Sequence, residues 1–158
     1  MQFQCPSCEE IITVSNDDLG NKISCTECNT EIAIPPYYLD PGFVIGQHII
    51  RAEIGEGHYG RVFKAHQINL DRTVALKILH PQFATDSNFV VEFFKEARAA
   101  AALTHPNIVQ SYTVNEEKGI YYQTFEYVSG GNLSSLLKKK KKLNVELAVD
   151  IMHQVAEA

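Results

Sequence analysis

The stretch Ile54–Ala65, IGEGHYGRVFKA, carries three glycines, Gly55, Gly57 and Gly60, in the spacing G-x-G-x-x-G. Loops of this kind cradle phosphate, because a residue without Cβ lets backbone N–H groups approach phosphate oxygens. The spacing alone is shared by several folds, so the flanks decide. A dinucleotide fold needs a helix opening inside the loop. Here Gly60 is followed by RVFKAHQI, whose Val, Phe and Ile content and alternation predict a strand. The acidic residue that would hold a ribose about 20 positions on is missing too, since that region reads ILHPQ. A P-loop needs Lys and then Ser or Thr after its last glycine, and Arg61 and Val62 stand there instead. What is left is a glycine loop joining two antiparallel strands, roughly Ile49–Gly55 and Gly60–Asn69. A turn at NLDR leads to a third strand, Thr73–Leu79.

The third strand contains VALK, ending at Lys77. A lone lysine among strand neighbours this apolar is unusual. Gly55, Gly57, Gly60 and Val62 complete G-x-G-x-x-G-x-V, and Lys77 follows at the right distance. In this order and spacing the segment resembles a protein kinase, the Ser/Thr kinases of bacteria in particular. The rest agrees. TDSNFVVEFFKEARAAAALTHPNIVQ opens on an N-cap candidate, Thr85 or Asp86, and continues as a helix. Phe89, Phe93, Ala97 and Ala100 recur at helical spacing and are expected to face the sheet, with Glu96 on the same side. HPNIV, His105–Val109, looks like the family's turn after that helix. IVQSYTVNEE and IYYQTFEYV are two further strands joined near Lys118-Gly119, and FEYVSGGNL resembles the hinge between kinase lobes. The resemblance runs from about Gly46 to Ala158.

It implies an α+β fold: a kinase small lobe of five antiparallel strands and one long helix, then the first helices of the large lobe. It also implies roles. Ile54, Gly55, Glu56, Gly57 and Gly60 would form the loop over the phosphates of ATP. Val62 and Ala75 would clamp the adenine, although both also read as ordinary strand core. Lys77 would contact the α- and β-phosphates, with Glu96 holding its ammonium, and Glu92 one turn away competes for that part. Phe125 would be the gatekeeper, Glu126 C=O and Val128 N–H would bond the adenine edge, and Asn132 would reach the ribose. Tyr59 at the loop tip is either an exposed aromatic or a phosphate shield.

All four cysteines lie ahead of this, in CPSCEEIITVSNDDLGNKISCTEC. Cys5, Cys8, Cys25 and Cys28 form two C-x-x-C pairs sixteen residues apart, the pattern of a four-thiolate zinc site. Two disulfides or four buried thiols are the alternatives. Disulfides require an oxidising compartment, and MQFQCPSCEE has no basic start or apolar signal core. A segment of about 35 residues also buries too little to fold without a staple. EEIITVS and KISC suit the arms of a ribbon, and NDDLGNK reads as a turn. The segment resembles the small zinc ribbons that precede other domains in many bacterial signalling proteins. IPPYYLDPG, with Pro35, Pro36 and Pro41, reads as a stiff linker.

The domain expectation is therefore a zinc ribbon at 1–34, a Pro-rich linker at 35–45 and a kinase domain at 46–158. Of the 158 residues, 45% are hydrophobic and 21% charged, and no run approaches the roughly 18 apolar residues of a membrane span. A cytoplasmic location follows as the default. The formal net charge of −5 sits wholly in residues 1–36, which hold one Lys against six Asp or Glu. Phosphate binding needs clustered Lys and Arg, so the ribbon is not expected to bind nucleic acid. The lysine run Lys138–Lys142 reads as a solvated loop between two helical patterns.

Ala148, Ile151, Met152 and Val155 mark an amphipathic helix, which reaches Ala158 without a cap. The kinase catalytic loop H-R-D-x-x-x-x-N, the D-F-G and the A-P-E are not in these residues, so the expectation is a kinase domain truncated before its catalytic loop. Its expected cofactors are ATP, Mg²⁺ held by the downstream motifs, and structural Zn²⁺. The parent would phosphorylate protein hydroxyls, with this chain inactive alone. The rival reading is a non-catalytic pseudokinase or a zinc-ribbon docking module.

Overall fold

The computed structural model describes residues 1–34 and 39–158. Ten strands, four helices and one 3₁₀ turn make up the described chain. The first four strands are short: β1 Gln2–Gln4, β2 Ile11–Thr13, β3 Lys22–Ser24 and β4 Glu31–Ala33. They form two hairpins, β1–β2 and β3–β4, each joined by a cysteine knuckle. Phe3, Ile12 and Ile32 of these strands and Val14 and Ile34 just beyond them join Cys5, Cys25 and Phe43 in one small core.

Phe43 comes from beyond the ribbon. The segment read as linker includes a strand, β5 Phe43–Ile45, which pairs with β1 on one side and with β6 on the other. Pro35 and Pro36 lie outside the described residues, and Pro41 precedes the strand. Gly42 at φ +100° makes this pairing possible. A Cβ there would stand 2.7 Å from Phe3 Cζ, so the ring lies where a side chain would be.

From β6 the expected small lobe follows. β6 His48–Glu56, β7 Gly60–Gln67, β8 Arg72–Leu79, β9 Ser111–Glu117 and β10 Ile120–Glu126 are antiparallel. The whole sheet runs β2-β1-β5-β6-β7-β8-β10-β9, eight strands in all. The expected five-stranded sheet is its second part. β7 stops at Gln67 rather than Asn69, because Ile68–Leu70 coil into a 3₁₀ turn closed by Asp71 in the left-handed region.

Alternation sorts the two faces. Phe63 and Ala65 of β7 and Val74, Leu76 and Ile78 of β8 point to a buried core with Ile45, Ile50 and Tyr122. The opposite face carries Val62, Ala75 and Lys77, all half-buried. Helix α1, Pro81–Ala84, is a single turn that the sequence reading did not separate. Helix α2, Ser87–Ala101, starts at Asp86, whose carboxylate accepts from Asn88 N–H at 2.9 Å. Phe93 and Ala97 are buried as expected, while Phe89 turns partly outward.

After β10, helix α3 (Leu133–Lys140) is capped by Asn132, and helix α4 (Val145–Glu157) by Asn144. Lys138–Lys140 form the last turn of α3 rather than a loop, where the negative end of the helix dipole suits them. Leu147, Ala148 and Ile151 of α4 are half-buried, but Val149, Met152 and Val155 are exposed. Asn107 of the HPNIV turn ties α4 to the small lobe by donating to Gln154 C=O at 3.0 Å.

Candidate functional site

The glycine loop is the turn between β6 and β7. Gly57 N–H donates to Gly60 C=O at 2.8 Å, which closes it. Its three glycines do different work. A Cβ on Gly55 would meet nothing within 4 Å, and one on Gly57 only Gly60 C=O at 3.7 Å. Both positions border open space, as a ligand-facing loop requires. A Cβ on Gly60 would collide with the Ile78 carbonyl, with Ile78 C at 3.0 Å. Gly60 is therefore a glycine because β7 and β8 approach each other there.

Register places the other residues. Val62 stands opposite Lys77, and Ala75 opposite Phe125 of β10. These four share the face under the loop. Gln123 lies opposite Lys77 on its other side and donates to Ser111 Oγ at 3.0 Å. That buried contact was missed in the sequence, since a Gln in a strand carries no distinctive signal. Glu126 and Val128 follow at the end of β10, with Glu126 N–H donating to Gln110 C=O at 2.9 Å. Asn132 Oδ1 accepts from Ser135 N–H at 2.8 Å, so that oxygen is engaged as a helix cap, leaving the amide NH₂ for any ligand. Ile54 and Glu56 flank the loop, both exposed.

Lys77 and Glu96 line one cavity of about 270 Å³, together with Tyr59, Leu79, Phe89 and Phe93. Among the ion pairs of the described residues, none joins Lys77 to Glu96 within 4.0 Å. The expected ammonium–carboxylate contact is thus open in this structure. Glu96 is exposed at the cavity rim, while Lys77 is half-buried on the strand face opposite it. Glu92 also borders the cavity but pairs with Lys95 at 3.2 Å.

The loop tip is not free. Tyr59 packs on Phe83 of α1 and Phe89 of α2, with ring centroids 5.5 and 6.1 Å away. Phe83 and Phe89 meet at 4.7 Å. His80 reaches the loop from the end of β8. The sequence signal for this cluster was Pro81, which opens a helix turn at N1 and so turns Phe83 back toward the loop.

The cysteines form a second site. Cys5 and Cys28 sulfurs lie 3.9 Å apart, Cys8 and Cys25 sulfurs 3.8 Å, and all four fall within 4.8 Å of one another. Zn–S bonds of about 2.3 Å at tetrahedral angles put sulfurs about 3.8 Å apart. A disulfide needs about 2.05 Å, and all four cysteines are free. The knuckles are near copies. Glu9 N–H donates to Cys5 C=O at 2.9 Å, and Asn29 N–H to Cys25 C=O at 3.0 Å. Both Glu9 (φ 63°) and Asn29 (φ 58°) sit in the left-handed region. The hydroxyl and amide of Thr30 lower the Cys28 thiol to about 6. Glu10 N–H favours the Cys8 thiolate, but burial and the neighbouring sulfurs outweigh it and push Cys8 up to about 12. Crowded sulfurs cannot all ionise without a cation among them, so this donor set fits a soft divalent metal.

Comparison with known proteins places the larger part. Residues 49–158 match the family model for the protein kinase domain. The chain belongs to the protein kinase family. It is 40% identical over 115 residues to the serine/threonine-protein kinase PrkC of Bacillus subtilis, covering 73% of this chain and 18% of that protein. It is 38% identical over 110 residues to the serine/threonine-protein kinase pkn3 of Myxococcus xanthus, covering 69% and 20%. The crystal structure of the Mycobacterium tuberculosis PknI kinase domain superposes with a TM-score of 0.64 at 26% identity, over 75% of this chain and 49% of that one. The chain therefore spans about a fifth of these curated relatives and about half of the solved kinase domain. No helix among the described residues is long and apolar enough to cross a membrane.

Proposed function

We propose that this chain is the ATP-binding front of a serine/threonine protein kinase that transfers the γ-phosphate of ATP to protein hydroxyls. One observation carries the reading: Val62, Ala75, Lys77 and Phe125 share a half-buried face beneath a glycine loop whose Gly55 and Gly57 border open space. In this reading adenine lies against Val62 and Ala75, with Phe125 behind it and Glu126 C=O and Val128 N–H at its edge. Ile54, Gly55, Glu56, Gly57 and Gly60 cover the phosphates, and Asn132 offers its NH₂ to the ribose. Lys77 grips the α- and β-phosphates once Glu96 closes on it. Mg²⁺ falls to the D-F-G and catalytic-loop motifs that the family uses, neither of which occurs in these 158 residues. In the transfer, the bond from the γ-phosphorus to the bridging oxygen breaks. A new bond forms to the substrate oxygen, whose proton passes to the aspartate of the family's catalytic loop, and ADP leaves.

Ahead of it, residues 1–34 act as a zinc ribbon in which Cys5, Cys8, Cys25 and Cys28 hold one structural Zn²⁺. The division into ribbon, connecting segment 35–45 and kinase domain 46–158 is part of this proposal. Four free thiols suit a reducing, cytoplasmic compartment.

The test is phosphate transfer from radiolabelled ATP to a protein acceptor by the full-length protein, beside its Lys77→Met variant. Transfer lost in the variant supports the reading. Transfer that survives in the variant would place the chemistry elsewhere. A folded, ATP-binding protein that transfers nothing belongs to the non-catalytic class.

A further inference from the structure

His80 makes three approaches to the glycine loop and is used by none of the roles above. It is the first residue after β8 and the N-cap of α1. Its backbone N–H donates to Tyr59 C=O at 2.9 Å. Its ring Nε2 lies 3.2 Å from Gly57 C=O and 4.0 Å from Glu56 Oε1. The side chain is only 21% exposed, and Phe83 packs 6.5 Å from the ring.

A carbonyl oxygen only accepts, so the contact to Gly57 requires a proton on Nε2. Either the neutral Nε2–H tautomer or the imidazolium supplies it. The consequence follows from peptide geometry. A trans peptide unit is planar, with its C=O and N–H pointing in opposite directions. Once His80 holds Gly57 C=O, the N–H of His58 in the same unit must point the other way. No protein acceptor takes that N–H among the described residues. Gly57 N–H is already spent on Gly60 C=O. A Gly-containing peptide would otherwise rotate readily, because nothing on Gly57 resists it.

We infer that His80 is a positioning residue for the nucleotide: by holding Gly57 C=O, it aims the His58 amide at the phosphates. The inference rests on the ATP-binding reading above. Pro81 helps by stopping β8 and setting the turn that carries His80 toward the loop. The other charged groups facing this region are Lys77, Glu92 and Glu96 of the adjoining cavity, none within ion-pair distance of His80. His80 acts on the phosphate end alone and leaves the adenine face untouched.

The experiment compares equilibrium binding of ATP and of adenosine to the full-length protein, to His80→Ala and to His80→Gln, with thermal unfolding of all three. A Gln amide donates as the imidazole Nε2–H does but cannot ionise. His80→Ala is expected to weaken ATP binding about five- to tenfold, the scale of one lost hydrogen bond, and to leave adenosine binding unchanged. His80→Gln is expected to recover most of the loss. Unchanged ATP affinity in His80→Ala would overturn the inference. So would an equal loss for ATP and adenosine, or a loss that Gln does not restore, since those describe a merely structural residue. A wild-type protein that binds adenosine and ATP equally, or neither, would overturn the ATP reading itself.

Discussion

Phe3 of the ribbon and Phe43 of β5 meet edge to face, with ring centroids 5.3 Å apart. Their backbones pair in the same register, Gln4 N–H donates to Gly42 C=O at 2.8 Å, and Arg51 of β6 donates to Gln4 Oε1 at 2.8 Å. The ribbon is thereby a continuation of the kinase sheet, two strands removed from the strand that enters the glycine loop.

Metal removal is therefore expected to reach beyond the ribbon. If the four cysteines hold zinc as proposed, a ribbon this small would owe its folding to that metal, worth on the order of 10 kcal/mol at neutral pH. Hydrogen exchange of zinc-loaded and chelated protein should show lost protection over residues 1–34 and also over Phe43–Arg51. Protection lost in the ribbon alone, with β5 and β6 unchanged, would show that the two parts are independent.

Glu9 pays a backbone cost that Asn29, at the equivalent position of the other knuckle, largely avoids. Non-glycine residues in the left-handed region cost about 1 kcal/mol, and Asn tolerates it best. Glu9→Asn is expected to stabilise the zinc-loaded ribbon by roughly 0.5–1 kcal/mol. Chemical denaturation monitored through metal release checks it, and a destabilised variant would point to a contact of Glu9 worth more than the strain.

Gly55→Ala and Gly60→Ala should fail in opposite ways. Gly60→Ala drives a Cβ into the Ile78 carbonyl and should destabilise the fold by about 1–3 kcal/mol. Gly55→Ala meets nothing in the protein, so its melting temperature should hold while ATP affinity falls. Equal melting temperatures for the two variants would contradict this division.

His48 links stability to acid. It is buried, with Nδ1 3.3 Å from Ile45 C=O and Nε2 3.4 Å from Thr124 Oγ1, and its ring packs 5.6 Å from Tyr122. Burial lowers its pKa below the ordinary 6.5; the Ile45 carbonyl opposes this and the nearby Arg72 charge adds to it. The unfolded chain therefore takes up a proton first as pH falls through 6.5. Stability is full above that value and declines below it until the folded protein titrates as well. Asp18 and Glu53, both held low, lose their contribution only in the carboxylate range further down. Thermal unfolding against pH should show a decline starting near 6.5 that flattens in His48→Gln. An unchanged profile in the variant would remove His48 as its source.

Much of this protein was legible in one dimension because its signals are local. The alternation of RVFKAHQI, the cap Asp86, the Lys118-Gly119 turn and the paired C-x-x-C knuckles each act within a few residues. Their order along the chain pointed to the kinase small lobe and to the cysteine cluster. Contacts between distant segments were not readable that way. A three-residue strand such as β5 has too few positions to show a period, and prolines beside it argued for a linker. The separate duties of Gly55 and Gly60 depend on how close β8 runs to each. The gap between Lys77 and Glu96 depends on where α2 rests, which the packing of Phe83, Phe89 and Phe93 decides. Side-chain type and spacing act through the local backbone and so are written in the chain. Which surfaces meet is settled by the summed burial of residues far apart in sequence, and only the folded molecule displays that sum.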